Sequence, residues 1–184
     1  MMRCSASFMP RLRSASGLSR AAILIAPRPH VKRSGNDCAD VVAANALLDT
    51  GAILAILDRT DRWHEACVAA IDQLRLPLMT SEAVLTELFH LVGDSRAAIE
   101  TAWKFVRSGA LVVASIENGE LPHVHTLMSR YWDRPMDFAD ATLVFLAKRE
   151  SLSTILTVDR ADFETYRIDG KRRFRILPAA PPRR

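Results

Sequence analysis

Four acidic residues whose side chains could do chemistry lie inside or at the end of apolar segments: Asp49, Glu87, Asp140 and Asp159. Their segments read ALLDTGAILAIL, AVLTELFHLV, DFADATLVFLA and TILTVD. Burying an unpaired carboxylate costs several kcal/mol, and no obvious buried Lys or Arg stands near these acids in the sequence. A bound cation would offset that cost, and oxygen ligands at separated positions suit Mg²⁺ or Mn²⁺ better than Zn²⁺.

The elements that must position these acids alternate, from Asn45 onward, between short apolar strands and amphipathic helices. The pattern predicts strands at 46–49, 76–80, 111–115, 153–158 and 174–177, the last of them at the edge of the sheet. It predicts helices at 51–57, along a stripe from 63 to 74, from a cap at Thr80 or Ser81 to Gly93, from Asp94 to Gly109, and at about 118–131 and 138–150. This alternation is typical of an α/β fold in which a mostly parallel sheet of four to five strands lies between helices.

The predicted elements can bring the four acids together. In parallel sheets, binding sites form beyond the carboxyl ends of the strands. Asp49 ends the first predicted strand and Asp159 follows the fourth, whereas Glu87 and Asp140 stand on helices that can face the same edge. We therefore expect the four carboxylates to converge on one site.

Helix capping and surface exposure are the alternative interpretations of these acids. Asp49 is also a good N-cap for the helix that follows it. Glu87 would be a surface residue if its helix were rotated, but that rotation would also expose Val84, Leu88 and Leu91 on the same face.

Asp140 has further acids near it that need their own interpretation. It shares an apolar face with residues of its own helix, so surface exposure would expose them as well. Asp137 stands three residues earlier and fits a capping box as well as a supporting role at a metal site. Asp162 follows Asp159 at the same spacing and is better explained as a cap or a surface acid.

Charge is distributed unevenly along the 184 residues. Residues 1–44 are rich in Ser, Arg, Pro and Gly and carry seven Lys or Arg and two Asp, whereas residues 45–184 carry 18 basic and 19 acidic groups. The pI of about 9.3 therefore reflects the start of the chain and is weak evidence for nucleic-acid binding. We expect an N-terminal extension (1–44) that is disordered, a wrongly assigned start or a transit peptide, then one folded domain (45–178) and a short tail (179–184).

Cysteine usage and hydropathy favour a cytoplasmic protein without a membrane partner. Cys4, Cys38 and Cys67 are widely spaced and form no C-x-x-C pair, so neither a disulfide framework nor a zinc cluster is predicted. Cys67 falls on an apolar helical stripe and is most simply a core residue. The apolar run AAILIA (21–26) is too short to cross a bilayer.

Other motifs give weaker indications of function. Glu87 and His90 have the E-x-x-H spacing of di-iron bundles, but a second copy is missing. His123 and His125 are best explained as surface residues of a helix, and no nucleotide-binding glycine loop is present. The segment LLDTGA (47–52) is similar to the active-site turn of retroviral-type aspartic proteases, which leaves a protease as a remote alternative.

In order and spacing, the four acids resemble those of the PIN-domain ribonucleases, most closely the VapC-like toxins of bacterial toxin–antitoxin pairs. The resemblance covers residues 45–178, with Asp49 in LLDTGAILAIL, Glu87 in SEAVLTELFHLV, Asp140 in MDFADATLVFLA and Asp159 in ILTVDRADF. The motif T-x-D-x-x-D-F (157–163) is among its more specific pieces, and Thr50 stands where the family often has a small hydroxyl residue. The chain departs from the family at its start, because 48 residues precede Asp49.

The resemblance implies a three-layer α/β/α PIN fold and RNA cleavage that depends on Mg²⁺ or Mn²⁺. Asp49, Glu87, Asp140 and Asp159 would be the catalytic metal ligands, with Thr50 and Asp137 in support. It also implies a homodimer neutralised by a cognate antitoxin. The alternatives are a PIN nuclease of RNA processing or turnover, and a PIN protein that binds RNA without cleaving it.

A run of basic residues follows the fourth acid, and two interpretations of it stand side by side. The cluster could track an RNA backbone near the site, or it could be a solvated charged hairpin. Its members are Arg160, Arg167, Lys171, Arg172, Arg173 and Arg175.

Overall fold

A five-stranded parallel sheet forms the centre of the molecule and confirms the predicted α/β architecture. The computed structural model describes residues 44–179, so the expected extension and tail lie outside the described residues except for Ala44 and Ala179. Each strand falls within its predicted segment or extends one residue beyond it. The strands are β1 (Leu47–Leu48), β2 (Leu78–Ser81), β3 (Leu111–Ala114), β4 (Thr154–Leu156) and β5 (Arg175–Leu177).

The strands lie in the order β3-β2-β1-β4-β5, so successive strands are added first on one side of β1 and then on the other. From β1 the chain proceeds to β2 and β3 on one side, and then crosses to β4 and β5 on the other, which leaves β5 at an edge as predicted. Open α/β sheets bind ligands in the crevice outside the carboxyl ends of the strands, at the point where the strand order changes sides in this way. The topology therefore indicates a site between the ends of β1 and β4.

Seven α-helices connect the strands in the part of the chain that the structure describes. They are α1 (Thr50–Leu57), α2 (His64–Ile71), α3 (Glu82–Val92), α4 (Arg96–Val106), α5 (Leu121–Arg130), α6 (Phe138–Arg149) and α7 (Arg160–Thr165). The predicted boundaries hold to within a few residues, and the C-cap of α3 is Gly93 with φ of 66°, as its position predicts.

Several local predictions were wrong in detail. Ser95 caps α4 in place of Asp94, because both residue types are good N-caps and the extended backbone falls on Ser95. The same helix ends at Val106, before Gly109. The stripe that predicted α2 extends to Leu74, which lies beyond the end of that helix. Helix α7 was not predicted, since six residues are too few to give a periodic signal.

Helix α6 is the central helix, and it is tied to the carboxyl ends of the strands. Eight of its twelve residues are buried, as in a helix that is apolar on all sides. The hydroxyls of Ser81, at the end of β2, and Thr142, on α6, lie 2.7 Å apart. Thr80 Oγ1 in turn donates to the Leu48 carbonyl at 2.9 Å. The first bond holds α6 at Thr142 beside the end of β2, and the second connects the ends of β1 and β2.

Candidate active site

Asp49 occupies the junction between β1 and α1, with both of its carboxylate oxygens engaged. It is only 6% exposed. Its Oδ1 accepts the Thr50 N–H at 2.6 Å, which also makes it the N-cap of α1, and its Oδ2 accepts the Thr157 hydroxyl at 2.7 Å. Burial raises the pKa of Asp49 to about 6 against the effect of those bonds, and the charges of Glu87 and Asp137 raise it further. The capping interpretation is correct, but neither of these two bonds brings a positive charge to the carboxylate.

Thr50 connects Glu87 to Asp49, because it bonds to both carboxylates. Thr50 Oγ1 donates to Glu87 Oε2 at 2.7 Å from the first position of α1. Glu87 is half-buried on α3, on the face that also buries Val84 and Leu88. The expectation for Leu91 on that face was wrong, because its side chain is 50% exposed near the end of the helix.

Asp140 stands in the first turn of α6 and is half-buried. Its Oδ2 accepts the Tyr166 hydroxyl at 3.2 Å. Burial raises the pKa of Asp140 to about 8, and the charges of Asp137, Asp49 and Asp159 raise it further. Asp140 therefore lies within electrostatic range of the acids at the ends of β1 and β4.

Asp159 follows β4 and is the most exposed of the four acids. Its backbone N–H donates to Thr157 Oγ1 at 2.9 Å. Desolvation raises the pKa of its carboxyl, as does its interaction with Asp162, and Arg134 acts in the opposite direction. Thr157 therefore connects two candidate ligands, since it donates to Asp49 and accepts from the backbone of Asp159.

Asp137 and Asp162, the two additional acids, act in helix capping and in an ion pair. Asp137 caps α6 by accepting the Asp140 N–H at 2.7 Å, although its charge still raises the pKa of Asp140. Asp162 is half-buried and forms an ion pair with Arg134 at 3.1 Å.

Three contributors to the site were not identified from the sequence. Thr157 and Tyr166 hold the carboxylates, and only Thr157 had a signal, as the first residue of T-x-D-x-x-D-F. Gly51 permits the close approach of α1 to the chain after β4. A Cβ added at Gly51 would lie 2.6 Å from Val158 Cγ2.

The donor chemistry of this site fits a hard divalent cation. Carboxylate oxygens are the preferred ligands of such ions, and no ion pair found within residues 44–179 involves Asp49, Glu87 or Asp140. Within the same residues, no group of three or more His, Cys, Asp or Glu side chains is arranged as a formed metal site.

The remaining sequence motifs have no part in the site. His123 and His125 are exposed on α5, and Cys67 is a buried residue of α2, both as predicted. LLDTGA forms the end of β1 and the start of α1, an arrangement unlike the glycine-rich β-turn of an aspartic protease. Between residues 44 and 179, no helix combines the length and hydropathy needed to span a membrane.

The basic residues after Asp159 are spread over α7, a hairpin turn and β5, and several of them are engaged within the protein. Ile168 and Arg172 form an antiparallel bridge, and Arg172 pairs with Asp169 at 2.7 Å. Arg160 pairs with Glu164, and Arg167 donates to three backbone carbonyls. These contacts agree with a charged hairpin and leave contact with RNA as a prediction.

Known proteins resemble this chain over most of the described region. The PIN domain family model matches residues 46–169. Ribonuclease VapC26 of Mycobacterium tuberculosis (strain ATCC 25618 / H37Rv) is 33% identical over 135 residues, which cover 72% of this chain and 99% of that protein.

Two solved structures share the fold of this chain. The crystal structure of Mycobacterium tuberculosis VapC20, a Sarcin-Ricin loop cleaving toxin, has a TM-score of 0.56 at 21% identity and covers 62% of this chain and 90% of its own. FitAB bound to an IR36 DNA fragment has a TM-score of 0.50, also at 21% identity, and covers 64% of this chain and 87% of its own.

Proposed function

Because this chain belongs to the PIN-domain family, we propose that it is a cytoplasmic, metal-dependent endoribonuclease and the toxin of a toxin–antitoxin pair. The observation that carries the proposal is the group of carboxylates at the carboxyl ends of the parallel strands. Burial and mutual repulsion raise the pKa of Asp49 to about 6 and that of Asp140 to about 8. Strongly perturbed acids in a crevice are candidates for a functional site, because a merely structural acid gains from a cationic partner.

Asp49, Glu87, Asp140 and Asp159 would hold Mg²⁺ or Mn²⁺. When bound, the metal would reverse the local charge for an incoming phosphodiester, acidify a water molecule as the nucleophile and stabilise the departing 3′ oxygen. Deprotonation of Asp49 and Asp140 must accompany metal binding, so we expect metal affinity to rise with pH through the pKa values of these two acids.

The hydroxyl residues of the site would orient the carboxylates before substrate arrives. Thr50 donates to Glu87, Thr157 donates to Asp49, and Tyr166 donates to Asp140. Hydrogen bonds of this kind fix which carboxylate oxygen remains available, and they commonly change metal affinity or activity by about 10- to 100-fold when removed.

The test is cleavage of total RNA by the purified chain with Mg²⁺ or Mn²⁺, with EDTA, and with the variant Asp140→Asn. We expect cleavage that requires metal and is lost in the variant. A matched control is Asp94→Asn, which makes the same chemical change at an exposed acid in the turn between α3 and α4. Wild-type cleavage by Asp140→Asn would refute the site assignment.

The partner of the proposed toxin would be a cognate antitoxin that covers the acidic crevice. A peptide bearing Arg or Lys could occupy the position of the metal, since a basic side chain complements the same carboxylates. We also propose a homodimer. Neutralisation by a small protein encoded beside this one would separate a toxin from a PIN nuclease of RNA processing, and binding of RNA without cleavage would indicate the non-cleaving alternative.

A further inference from the structure

The turn between α5 and α6, which leads directly into the helix that carries Asp140, presents a tryptophan to solvent. Trp132 is 81% exposed, well above every other large apolar side chain described as exposed in residues 44–179. The ring follows the end of α5 at Arg130 and precedes the start of α6 at Phe138. Tryptophan is among the residues most enriched at binding surfaces, because a rigid ring offers a large contact area at little entropic cost.

The first anchor of this turn lies on the side of the acids. The ring of Tyr131 packs edge-on against that of Tyr166, with the centroids 5.1 Å apart. The Tyr131 hydroxyl accepts the Arg167 N–H at 3.0 Å. Tyr166 itself donates to Asp140, so the residue before Trp132 packs directly on a side chain that contacts the active site.

The second anchor lies on the other side of Trp132. Arg134 forms an ion pair with Asp162 at 3.1 Å and donates to the Thr165 hydroxyl at 2.8 Å. Its N–H donates to the Tyr131 carbonyl at 2.9 Å and closes the turn. Trp132 therefore projects from a turn that is fixed on both sides to α7 and the residues that follow it.

A second exposed aromatic residue stands among the acids themselves. Phe138 is 47% exposed at the first position of α6, between Asp137 and Asp140 in sequence. The acids and a bound metal would contact only the phosphodiester, which is the same in every nucleotide. Aromatic faces beside them offer the complementary contact, because an unpaired base stacks on such a ring.

We propose that Trp132 stacks on an unpaired nucleobase of the RNA substrate next to the scissile phosphodiester, with Phe138 as a second base contact. This proposal rests on the proposed function and deepens it by naming the side chains that would contact the bases of the RNA. Bases within a duplex are stacked on each other and present no free face to a side chain.

The surroundings of Trp132 favour RNA over a protein partner. Protein interfaces bury contiguous apolar patches with a well-packed centre. The neighbours of Trp132 in the turn are the exposed residues Asp133, Arg134 and Pro135, which do not extend the ring into such a patch. An exposed ring on a turn anchored to the side chain that bonds Asp140 matches the combination of stacking ring and phosphate-binding site used by proteins that bind single strands.

The test measures RNA binding separately from cleavage. The full chain is titrated in Ca²⁺, with no Mg²⁺ or Mn²⁺ present, with a single-stranded RNA of mixed sequence and with the same sequence as a duplex. Variants are Trp132→Leu, which keeps an apolar side chain, and Trp132→Phe, which keeps an aromatic face. Trp103→Leu is the matched control, because Trp103 is 44% exposed on α4 and stacks on Phe89, with a centroid distance of 4.6 Å.

We expect wild type to prefer the single strand and Trp132→Leu to weaken that binding about tenfold. Trp132→Phe should restore most of the affinity for the single strand. Affinity for the duplex should be the same in wild type and Trp132→Leu, and Trp103→Leu should bind the single strand as tightly as wild type. In cleavage with Mg²⁺, Trp132→Leu should raise KM more than it lowers kcat. Unchanged binding by a folded Trp132→Leu would overturn the proposal, as would loss of antitoxin binding alone, which would assign the ring to the protein partner.

The outcomes for this inference and for the proposed function differ. RNA cleavage that is indifferent to Trp132 would leave the nuclease intact and remove the stacking contact. Single-strand binding that depends on Trp132 without any cleavage would support the stacking contact and remove the nuclease. A photochemical crosslink from a 4-thiouridine RNA to Trp132 would support the contact directly, and crosslinks confined to other parts of the chain would contradict it.

Discussion

Acids close to the two ends of α6 are in opposite electrostatic situations. At its C-terminal end, Arg149 pairs with Glu120 at 2.9 Å and with Glu150 at 2.7 Å. A bond from the Glu117 N–H, followed by the interaction with Arg149, lowers the pKa of Glu120. At its N-terminal end, the Tyr166 hydroxyl is the only side-chain donor to the Asp140 carboxylate among residues 44–179, and burial raises the pKa of Asp140 to about 8.

The difference shows how a fold can reserve carboxylates for a ligand. Arg149 neutralises the carboxylates that it pairs with, so these acids need no external cation. The crevice collects Asp49, Glu87 and Asp140 around hydroxyl donors, which orient a carboxylate without neutralising it. Such an arrangement costs stability in the absence of a cation, and it gains binding energy when a cation arrives.

The largest effect expected from this comparison is on RNA cleavage. Asp140→Asn should lower kcat/KM by roughly 10²–10³, because an electrostatic ligand of the transition state is lost while the shape is kept. Glu120→Gln makes the same change at the ion-paired end and should leave the rate within about twofold of wild type. Metal-dependent cleavage of RNA by the two purified variants measures both, and equal losses would show that the ends of α6 do not differ in function.

A smaller effect should follow from the loss of the Thr157 hydroxyl, which orients the Asp49 carboxylate. Thr157→Val keeps the shape of the side chain but leaves Asp49 Oδ2 and the Asp159 N–H without their partner. We expect a loss in kcat/KM of about 10- to 100-fold. The loss should be accompanied by a shift of the pH–rate profile to higher pH, because Thr157 lowers the pKa of Asp49.

A structural defect would behave differently from a change in orientation at this position. Thr157→Ser retains the hydroxyl and removes only a methyl group, so it should restore most of the rate and the position of the pH profile. A Thr157→Val enzyme that is slow at every pH with an unshifted profile would assign Thr157 to packing.

The parts of the molecule that the sequence predicted share a local signal. All five strands and six of the seven described helices leave a pattern of apolar residues or caps, and β1 with Asp49 at its end is an example. The four acids were found because a charge inside an apolar segment is anomalous in the sequence itself. Neighbouring caps such as Asp94 and Ser95 differ by only a few tenths of a kcal/mol. The prediction that Asp94 caps α4 was therefore wrong, since Ser95 is the N-cap.

The contacts that orient the acids have no such local signal. The bond between Thr157 and Asp49 joins residues 108 positions apart, and the one between Tyr166 and Asp140 joins residues 26 positions apart. Periodicity reports the environment of a residue within a few turns, so it cannot select a partner at that separation. The exposure of Trp132 is also a property of the packed turn, since its sequence neighbourhood only indicates a break between helices.

The stability of the metal-free protein should distinguish the two kinds of acid by its dependence on pH. The pKa of Asp140 rises from 3.8 to about 8 on folding, so the folded state binds more protons between these values. The free energy of unfolding should therefore fall as pH rises from about 4 to about 8, and Asp49 should contribute to this fall up to about pH 6.

Chemical denaturation in EDTA at pH 5 and pH 8 tests this expectation. Asp140→Asn should be more stable than wild type at pH 8 by about 1–3 kcal/mol, because the charge that the folded state disfavours is absent. The difference should shrink at pH 5 and also when Mg²⁺ is added, since the ion stabilises the wild-type carboxylate. Greater stability of wild type at pH 8 in EDTA would mean that Asp140 has a cationic partner in solution.

The smallest effect should come from removal of the Tyr166 hydroxyl that donates to Asp140. Tyr166→Phe keeps the ring that packs against Tyr131 and Phe163, and it removes only the hydroxyl. The hydroxyl lowers the pKa of Asp140, so without it that pKa should rise further and the affinity for Mg²⁺ should weaken by a few-fold at pH 7. The deficit should vanish at saturating metal and at pH 9, where Asp140 is ionised in both proteins. Metal titrations of RNA cleavage at the two pH values measure this, and a deficit that persists at pH 9 and saturating Mg²⁺ would place the Tyr166 hydroxyl in the reaction itself.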